Sequence, residues 1–261
     1  MTTYLDNILA AHREAATHDN RSLGSLIAQA VRMPECRGFA RSIQQRQRGE
    51  VAVIAEIKRR SPSKGDLNVG LDPVKLAREY ERGGAACLSV LTDVQFFGGS
   101  DRDLQLARAA TGLPVLRKDF TVSGQDVCDA RLIGADCVLL IAAAMSSQQL
   151  AELHNLANEV GIEALVEIHD ERELDVALDA GAGIIGVNQR DLVTFQVDHA
   201  RALRMARRIP DSVIKIAESG LRGGADAATL GAAGYDAVLV GELLVTAAHP
   251  SEVIHDLRGA F

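Results

Sequence analysis

The sequence predicts an α/β fold of the (β/α)8 TIM-barrel class with an N-terminal helical extension. Three observations predict this fold: a chain of 261 residues, eight apolar strand-like runs after residue 50, and intervening helix-like segments that often end in glycine. A barrel of this class usually has about 250 residues. The runs are apolar throughout rather than alternating, which is typical of a parallel sheet covered on both faces.

The eight predicted strands begin 21 to 35 residues apart, which leaves room for a crossover helix after each strand. They are residues 51–58, 86–92, 114–120, 137–142, 163–168, 184–189, 213–219 and 237–242.

Local signals mark the helices between these strands. Asp72 followed by Pro73 is a typical helix start, because Asp caps the first turn and Pro suits the first helical position. The stretches RGGAAC, LIGADC, DAGAGI and AAGYDA each contain a glycine where a helix would end. An open doubly wound sheet is the alternative fold. That fold usually has a Gly-x-Gly-x-x-Gly fingerprint after its first strand, whereas this chain has KRRSPSKG there.

The first 48 residues precede the first predicted strand and contain two helical patterns, LDNILAAHREAA and SLGSLIAQAV. We expect them to form a helical extension that packs on the barrel. The whole chain, residues 1–261, is then predicted to be a single barrel domain.

The composition excludes several classes of function. A net charge of −7 argues against nucleic acid as a partner and against a basic membrane-binding surface. The longest apolar run, residues 137–145, is too short to span a bilayer, and the N-terminus lacks the apolar stretch of a signal peptide. The four cysteines form no Cys-x-x-Cys pair, so we expect reduced thiols, a cytoplasmic location and no metal site.

Charged and polar residues follow the apolar part of several predicted strands. In the first strand, Ala52 and Ile54 share a face with Glu56 and Lys58, because side chains alternate with a period of two. The carboxyl ends of barrel strands meet at one mouth, where active sites of this fold form. The residues that we expect to converge there are Glu56, Lys58, Lys118, Glu167, Asn188, Arg190, Glu218 and Ser219.

Two further signals indicate the kind of ligand. Gly220 follows the seventh predicted strand and Gly241 lies at the end of the eighth, the usual position of a phosphate site in this fold. Apolar residues near neighbouring strand ends, Phe97 above all, are suited to holding an aromatic group. These residues are Leu91, Phe97, Phe120 and Leu139.

With these residues in view, the chain closely resembles the indole-3-glycerol phosphate synthases of tryptophan biosynthesis. AEIKRRSPSKG matches the family signature Glu-x-Lys-x-x-Ser-Pro-Ser. LSVLTD, FFGGS, VLRKDF, GADCVLLI, LVEIHD, GVNQRDL, AESG and VLVGE follow in the family's order. The resemblance covers essentially the whole chain, including a helical extension of this length.

The resemblance implies a carboxy-lyase that closes 1-(2-carboxyphenylamino)-1-deoxyribulose 5-phosphate to an indole, with loss of CO2 and water and without cofactor or metal. It implies that Lys118 is the general acid, that Glu167 is its acid–base partner, and that Glu56 and Lys58 assist proton transfer. Asn188, Glu218 and Ser219 would orient the substrate. The implied substrate-binding residues are Ser61, Leu91, Phe97, Phe120, Leu139, Arg190, Leu192, Gly220, Gly241 and Glu242. Other enzymes of the tryptophan pathway are the implied protein partners.

The sequence leaves three alternatives. An aldose–ketose isomerase barrel would share the phosphate loops, but the related isomerases use an Asp/Asp or Cys/Asp pair at strand ends. A non-catalytic paralogue that binds an anthranilate-like ligand should have lost a catalytic charge. A nucleic-acid-binding protein is disfavoured by the net charge.

Overall fold

Eight parallel strands close into a barrel in this computed structural model, which describes residues 3–47, 49–62, 64–191 and 193–259. Each strand pairs with its sequence neighbours, and β1 closes the ring by pairing with β8. The strands are β1 Ala52–Ile57, β2 Cys87–Leu91, β3 Val115–Lys118, β4 Cys137–Ile141, β5 Glu163–Ile168, β6 Ile184–Asn188, β7 Ile214–Glu218 and β8 Ala237–Val240. The predicted barrel is therefore confirmed, with several strands shorter by one or two residues at an end.

Twelve α-helices lie within the described ranges, three of them before the first strand. They are α1 Tyr4–Thr17, α2 Leu23–Ala30, α3 Phe39–Gln44, α4 Pro73–Arg82, α5 Asp101–Ala110, α6 Gly124–Leu132, α7 Ser147–Glu159, α8 Glu171–Asp179, α9 Arg201–Met205, α10 Gly224–Ala232, α11 Glu242–Val245 and α12 Pro250–Arg258. No helix in the described part of the chain is both long enough and apolar enough to cross a membrane.

The period of two decides which strand residues face the barrel interior. In β1, Ala52 and Ile54 belong to the interior cluster. Val53, Ala55 and Ile57 belong to the outer cluster, which packs against the helices. Burial of both faces explains why the strands are apolar throughout.

The helix-end glycines adopt the backbone conformation that their role requires. Gly84, Gly134, Gly181 and Gly234 have φ angles between +84° and +97°, a region that residues with a Cβ atom rarely adopt. At the start of α4, the Asp72 side chain accepts hydrogen bonds from two first-turn amides, as predicted.

The N-terminal extension contacts the barrel at both ends. Phe39 and Ile43 of α3 are fully buried and pack with interior residues such as Ala52, so α3 closes the floor at the amino ends of the strands. At the other end, His12 of α1 lies 3.0 Å from Asp93, which follows β2. Helix α2 packs against α6. The extension therefore runs from the mouth of the barrel to its floor.

Candidate active site

A cavity of about 630 Å³ opens at the carboxyl ends of the strands, which is within the usual range for a small-molecule site. Every predicted site residue that the structure describes lines it, and Leu192 lies outside the described residues. The predicted residues in its wall are Glu56, Lys58, Ser61, Leu91, Phe97, Lys118, Phe120, Leu139, Glu167, Asn188, Arg190, Glu218, Ser219, Gly220, Gly241 and Glu242.

Lys118 ends β3 and lies between two carboxylates. Its Nζ is 3.1 Å from Glu167 Oε2 and 3.8 Å from Glu218 Oε2. Burial alone would lower the pKa of Lys118, but the nearby carboxylates, Glu167 foremost, outweigh burial and raise the pKa above the usual lysine value. The lysine is therefore held as an ammonium ion in a largely buried position.

Glu167 on β5 is held in one orientation by two partners. Lys118 contacts Oε2, and the Asn188 side chain donates a hydrogen bond of 3.1 Å to Oε1. Burial would raise the pKa of Glu167, but the Lys118 charge and, after it, the charge of His169 lower the pKa below the usual glutamate value. Glu167 is therefore ionised across the neutral pH range.

Glu218 on β7 is in a different electrostatic state. Burial and the negative charge of Glu167 raise the pKa of Glu218 to about 8, although Lys118 partly offsets them. Its Oε1 atom is buried and has no hydrogen-bond partner among the described residues. Two neighbouring carboxylates whose environments shift their pKa values in opposite directions provide an acid and a base at the same pH.

Glu56 lies on the interior face of β1 and Lys58 follows that strand directly, and both line the cavity, as the period of two predicts. The Lys58 ammonium donates a hydrogen bond to Glu56 Oε1. Glu56 is almost fully buried, whereas Lys58 is partly exposed at the mouth. The pair therefore adds one negative and one positive side chain to the charged residues Lys118, Glu167 and Glu218 at the mouth.

The backbone turns sharply where β7 ends. Ser219 has a φ angle of +65° and Gly220 one of +80°. For serine this conformation is strained. The Gln189 side chain donates a hydrogen bond of 2.9 Å to the Ser219 carbonyl and so supports the turn. Consecutive left-handed residues of this kind expose backbone N–H groups that suit an anion.

Arg190 follows β6 and is held against its own loop. Its backbone N–H donates to Asn188 Oδ1 at 3.0 Å, and its guanidinium donates to the Phe195 carbonyl at 3.1 Å. These two hydrogen bonds therefore hold the Arg190 guanidinium in one orientation at the rim of the cavity.

The carboxylate of Glu242, the first residue of α11, lies 3.6 Å from the Lys64 ammonium, which belongs to the loop after β1. Both side chains are partly exposed, so the contact is a solvated ion pair across the rim.

Aromatic rings form one wall of the cavity. The Phe97 and Phe120 ring centroids are 6.1 Å apart, and the ring of His12 lies 5.5 Å from that of Phe120. A side chain of the extension thus supports the aromatic wall.

One cluster among the described residues combines metal-ligand types, namely His12, Asp93 and Asp119. Asp93 already accepts hydrogen bonds from two loop amides, and Asp119 lies 3.3 Å from the Arg117 guanidinium. The Arg117 guanidinium already provides the positive charge that a metal ion would bring to these carboxylates. We interpret the cluster as a joint between α1 and the barrel.

Sequence reasoning missed several residues of the cavity wall. They include Lys64, Asp119, Phe195, Val197, His199 and Arg222. All six lie outside the barrel strands, where no period-two pattern indicates direction. The position of Lys64 just after the strand-1 signature was the one available signal.

Two solved structures share the fold at low sequence identity. Thiamine phosphate pyrophosphorylase from Pyrococcus furiosus superposes with a TM-score of 0.59 at 15% identity, covering 80% of this chain and 93% of its own. The N-acetylmannosamine-6-phosphate 2-epimerase from Clostridium perfringens has the same TM-score at 14% identity, covering 77% and 90%. At these identities the likeness shows the fold alone.

Sequence comparison is more specific. The chain is 49% identical over 254 residues to indole-3-glycerol phosphate synthase 2 of Streptomyces coelicolor, covering 96% of this chain and 97% of the relative. The chain is 46% identical over 263 residues to indole-3-glycerol phosphate synthase of Kineococcus radiotolerans, covering 99% of this chain and 96% of the relative. A family model described as indole-3-glycerol phosphate synthase matches residues 5–257. With its barrel, its mouth of paired lysines and glutamates and these full-length relatives, the chain belongs to the indole-3-glycerol phosphate synthase family.

Proposed function

We propose that this protein converts 1-(2-carboxyphenylamino)-1-deoxyribulose 5-phosphate to indole-3-glycerol phosphate, releasing CO2 and water, as a carbon–carbon carboxy-lyase of tryptophan biosynthesis. The observation that carries the proposal is Lys118, a buried ammonium between the carboxylates of Glu167 and Glu218 at the mouth of the barrel.

In ring closure, the aromatic carbon attacks the ketone carbon of the substrate, and the carbonyl oxygen gains negative charge. The Lys118 ammonium is the group that meets this charge and supplies the proton. A fixed cation in a largely buried site stabilises such a developing charge more strongly than one in water, because the local dielectric is low. Loss of CO2 then restores the aromatic electrons.

Dehydration requires a base for a proton on carbon and an acid for the departing hydroxyl group. We assign the base to Glu167, since it is ionised and its two oxygens are oriented by Lys118 and Asn188. Once Lys118 has given its proton to the carbonyl oxygen, we assign the nearby Glu56–Lys58 pair to proton relay and substrate placement. This pair supplies the proton with which the hydroxyl group departs as water. We assign Glu218 and Ser219 to orienting the substrate hydroxyl groups.

We assign phosphate binding to the rim after β7 and β8. The left-handed turn at Ser219 and Gly220 supports this assignment, since its backbone N–H groups suit an anion. Ser61 adds a hydroxyl that has no partner among the described residues, while Gly241 and Glu242 would contribute backbone amides. Arg190, which follows the neighbouring strand β6, is the anion partner beside this part of the rim.

We assign the aromatic ring of the substrate to the wall formed by Leu91, Phe97, Phe120 and Leu139. Offset or edge contacts between rings a few ångströms apart favour such a pocket.

An aldose–ketose isomerase is not favoured. That chemistry pairs an Asp or Cys with a second Asp at strand ends, whereas the mouth of this barrel holds lysines and glutamates.

We further propose that the protein acts in the cytoplasm, that residues 1–261 form one domain with residues 1–48 as its extension, and that other tryptophan-pathway enzymes are its partners. Mixing the purified protein with the enzymes of the adjacent steps and measuring the sedimentation of the mixture tests the last point.

The direct test of activity is to add the carboxyphenylamino substrate to purified protein in buffer with excess chelator and to follow indole fluorescence. We expect product without added metal or cofactor, because the protein needs to supply only proton transfers and charge stabilisation. Activity that disappears in chelator and returns with a divalent ion would contradict the metal-free mechanism. No product under any condition would overturn the function itself.

A further inference from the structure

Gly186 lies in the middle of β6 and faces the barrel interior. In the parallel register it pairs with Glu167 of β5 and with Ile216 of β7. Its strand neighbours at a spacing of two are Ile184, which belongs to the interior cluster, and Asn188, which lines the cavity. A side chain at position 186 would therefore point between the hydrophobic interior and the mouth.

The backbone does not require glycine at this position. Gly186 is not among the glycines with a positive φ angle. Glycine inside a strand weakens the strand and usually marks a bulge or a close approach by another group. A close approach is what the structure contains.

The space of the missing side chain is filled by the carboxylate of Glu218. A Cβ atom at position 186 would lie 2.0 Å from Glu218 Oε1 and 3.1 Å from Glu218 Cδ. It would also lie 3.2 Å from Leu165 Cδ1. The first distance is far below any van der Waals contact, so an alanine and the present Glu218 conformation exclude each other.

The position of the Glu218 carboxylate over Gly186 also sets its distance from Lys118. With Oε1 above Gly186, Oε2 lies 3.8 Å from Lys118 Nζ. Glu218 is only 2% exposed, and its Oε1 has no hydrogen-bond partner among the described residues. Steric fit to Gly186, rather than a hydrogen bond, therefore fixes this end of the carboxylate.

We propose that Gly186 is a positioning residue for the reaction, because its bare Cα seats the Glu218 carboxylate beside Lys118. The proposal rests on the proposed function and adds to it a residue that need not touch the substrate. Any larger side chain at position 186 moves Glu218 and changes the contacts of Lys118.

A second glycine has the same relation to a second carboxylate. A Cβ atom at Gly241, directly after β8, would lie 2.3 Å from Glu56 Oε1 and 3.1 Å from Lys58 Nζ. In both cases the glycine is on, or directly after, the strand that precedes the strand of the glutamate around the closed barrel. The repeated arrangement supports a seating role for Gly186.

The first experiment compares Gly186→Ala with Gly183→Ala. The control glycine lies just before the same strand and has no atom within 4 Å of a Cβ position. We expect Gly186→Ala to reduce kcat by roughly 10- to 100-fold, since misplacement of a catalytic group by about 1 Å costs on that order. The KM should change by less than about threefold, because the phosphate and aromatic sites are untouched. Gly183→Ala should behave as the wild type. Normal kcat in Gly186→Ala would overturn the proposal.

A double-mutant cycle separates this role from simple packing. If Gly186 acts through Glu218, then Gly186→Ala should have no further effect on kcat in a Glu218→Ala background. An equal loss in both backgrounds would assign Gly186 to packing against Leu165 and overturn the proposal. If Gly186→Ala does not fold, the double variant Gly186→Ala/Glu218→Ala is the test. A folded double variant supports the role of Gly186 in positioning Glu218, and an unfolded one overturns it.

A readout without turnover distinguishes this proposal from the proposed function. Because the pKa of Glu218 is raised on folding, the seated group destabilises the fold as the pH rises from about 4.5 through the folded value. In Gly186→Ala, Glu218 is displaced and better hydrated, so this destabilisation with rising pH is lost. The stability advantage of the wild type over Gly186→Ala should therefore shrink as the pH rises, even if no indole product forms. A constant difference would contradict the seat.

Discussion

The carboxylate of Glu242 lies 3.6 Å from the ammonium of Lys64 across the rim of the barrel mouth. A carboxylate beside a bound phosphate would be repelled by about 4 kcal/mol at a separation of about 4 Å and a dielectric near 20. Pairing with the Lys64 ammonium offsets this repulsion, while the Glu242 backbone N–H stays available to a phosphate.

We therefore expect Glu242→Gln to change the KM by less than about threefold, equivalent to less than about 0.7 kcal/mol. Steady-state kinetics with the phosphorylated substrate measures this. Improvement of substrate binding by tenfold or more in the Gln variant would mean that the carboxylate faces the phosphate.

Lys118→Ala should reduce kcat by roughly 10²- to 10⁴-fold, the usual contribution of a positioned acid. The matched control is Lys64→Ala, another lysine of the same mouth that is more than half exposed, which should keep kcat close to the wild-type value. Circular dichroism should show a folded barrel in both variants. Near-normal turnover of Lys118→Ala would remove this residue from the acid role.

The contact between His12 and Asp93 should make the docking of α1 depend on pH. Burial lowers the pKa of His12, but the hydrogen bond to Asp93 and the charge of Asp119 raise it by more. A group whose pKa is raised on folding stabilises the fold fully below its unfolded pKa, about 6.5 for histidine, and this contribution is lost as the pH rises through the folded value.

The Tm difference between the wild type and His12→Gln should accordingly be larger near pH 6 than near pH 9. His255→Gln, which alters an exposed histidine on α12, serves as the control and should show no such trend. A Tm difference for His12→Gln that is independent of pH would mean that the contact does not need a charged imidazole.

Two truncations should separate the two ends of the extension. Deleting residues 1–20 removes α1 and its contacts at the mouth but leaves the floor closed, so we expect weaker substrate binding with a modest loss of Tm. Deleting residues 1–45 also removes Phe39 and Ile43, which are fully buried. Each such side chain is worth about 1.5–3 kcal/mol of burial free energy.

The longer deletion should therefore be much less stable in thermal or urea unfolding than the shorter one. Equal stability of the two truncated proteins would show that α3 is not needed to close the floor. Unchanged KM in the shorter one would show that α1 does not contribute to binding.

Periodicity was sufficient to predict the barrel and the direction of its strand residues. Ala52, Ile54 and Glu56 all face the barrel interior because β1 is a regular strand. Their direction can therefore be predicted without knowing which strands lie beside β1. The partners of Lys118 were beyond this reasoning. Whether Lys118 meets Glu56, Glu167 or Glu218 depends on the register and the curvature of a closed sheet, which separate strands do not encode.

The contacts of the extension were equally hidden. The helical pattern of residues 1–48 predicts amphipathic helices, but His12 finds Asp93 across 81 residues of chain. Loops behave in the same way: the positive φ angle of Ser219 arises from the turn after β7, and nothing in the sequence AESG requires it. The local sequence pattern predicts the helices and strands, whereas the contacts between them depend on how the whole barrel closes.

The floor contacts of the extension also have a consequence for synthesis. Arg46 pairs with Asp236, which lies 190 residues later in the chain, and the Val51 amide bonds to the carbonyl of Arg258. At about 5–20 residues per second, a ribosome needs roughly 10–40 s to make the missing partner of Arg46. Throughout that interval β8 has not been made and the ring of strands is open. The apolar face of α3 then contacts only part of the barrel floor, so it is accessible to chaperones before the barrel closes.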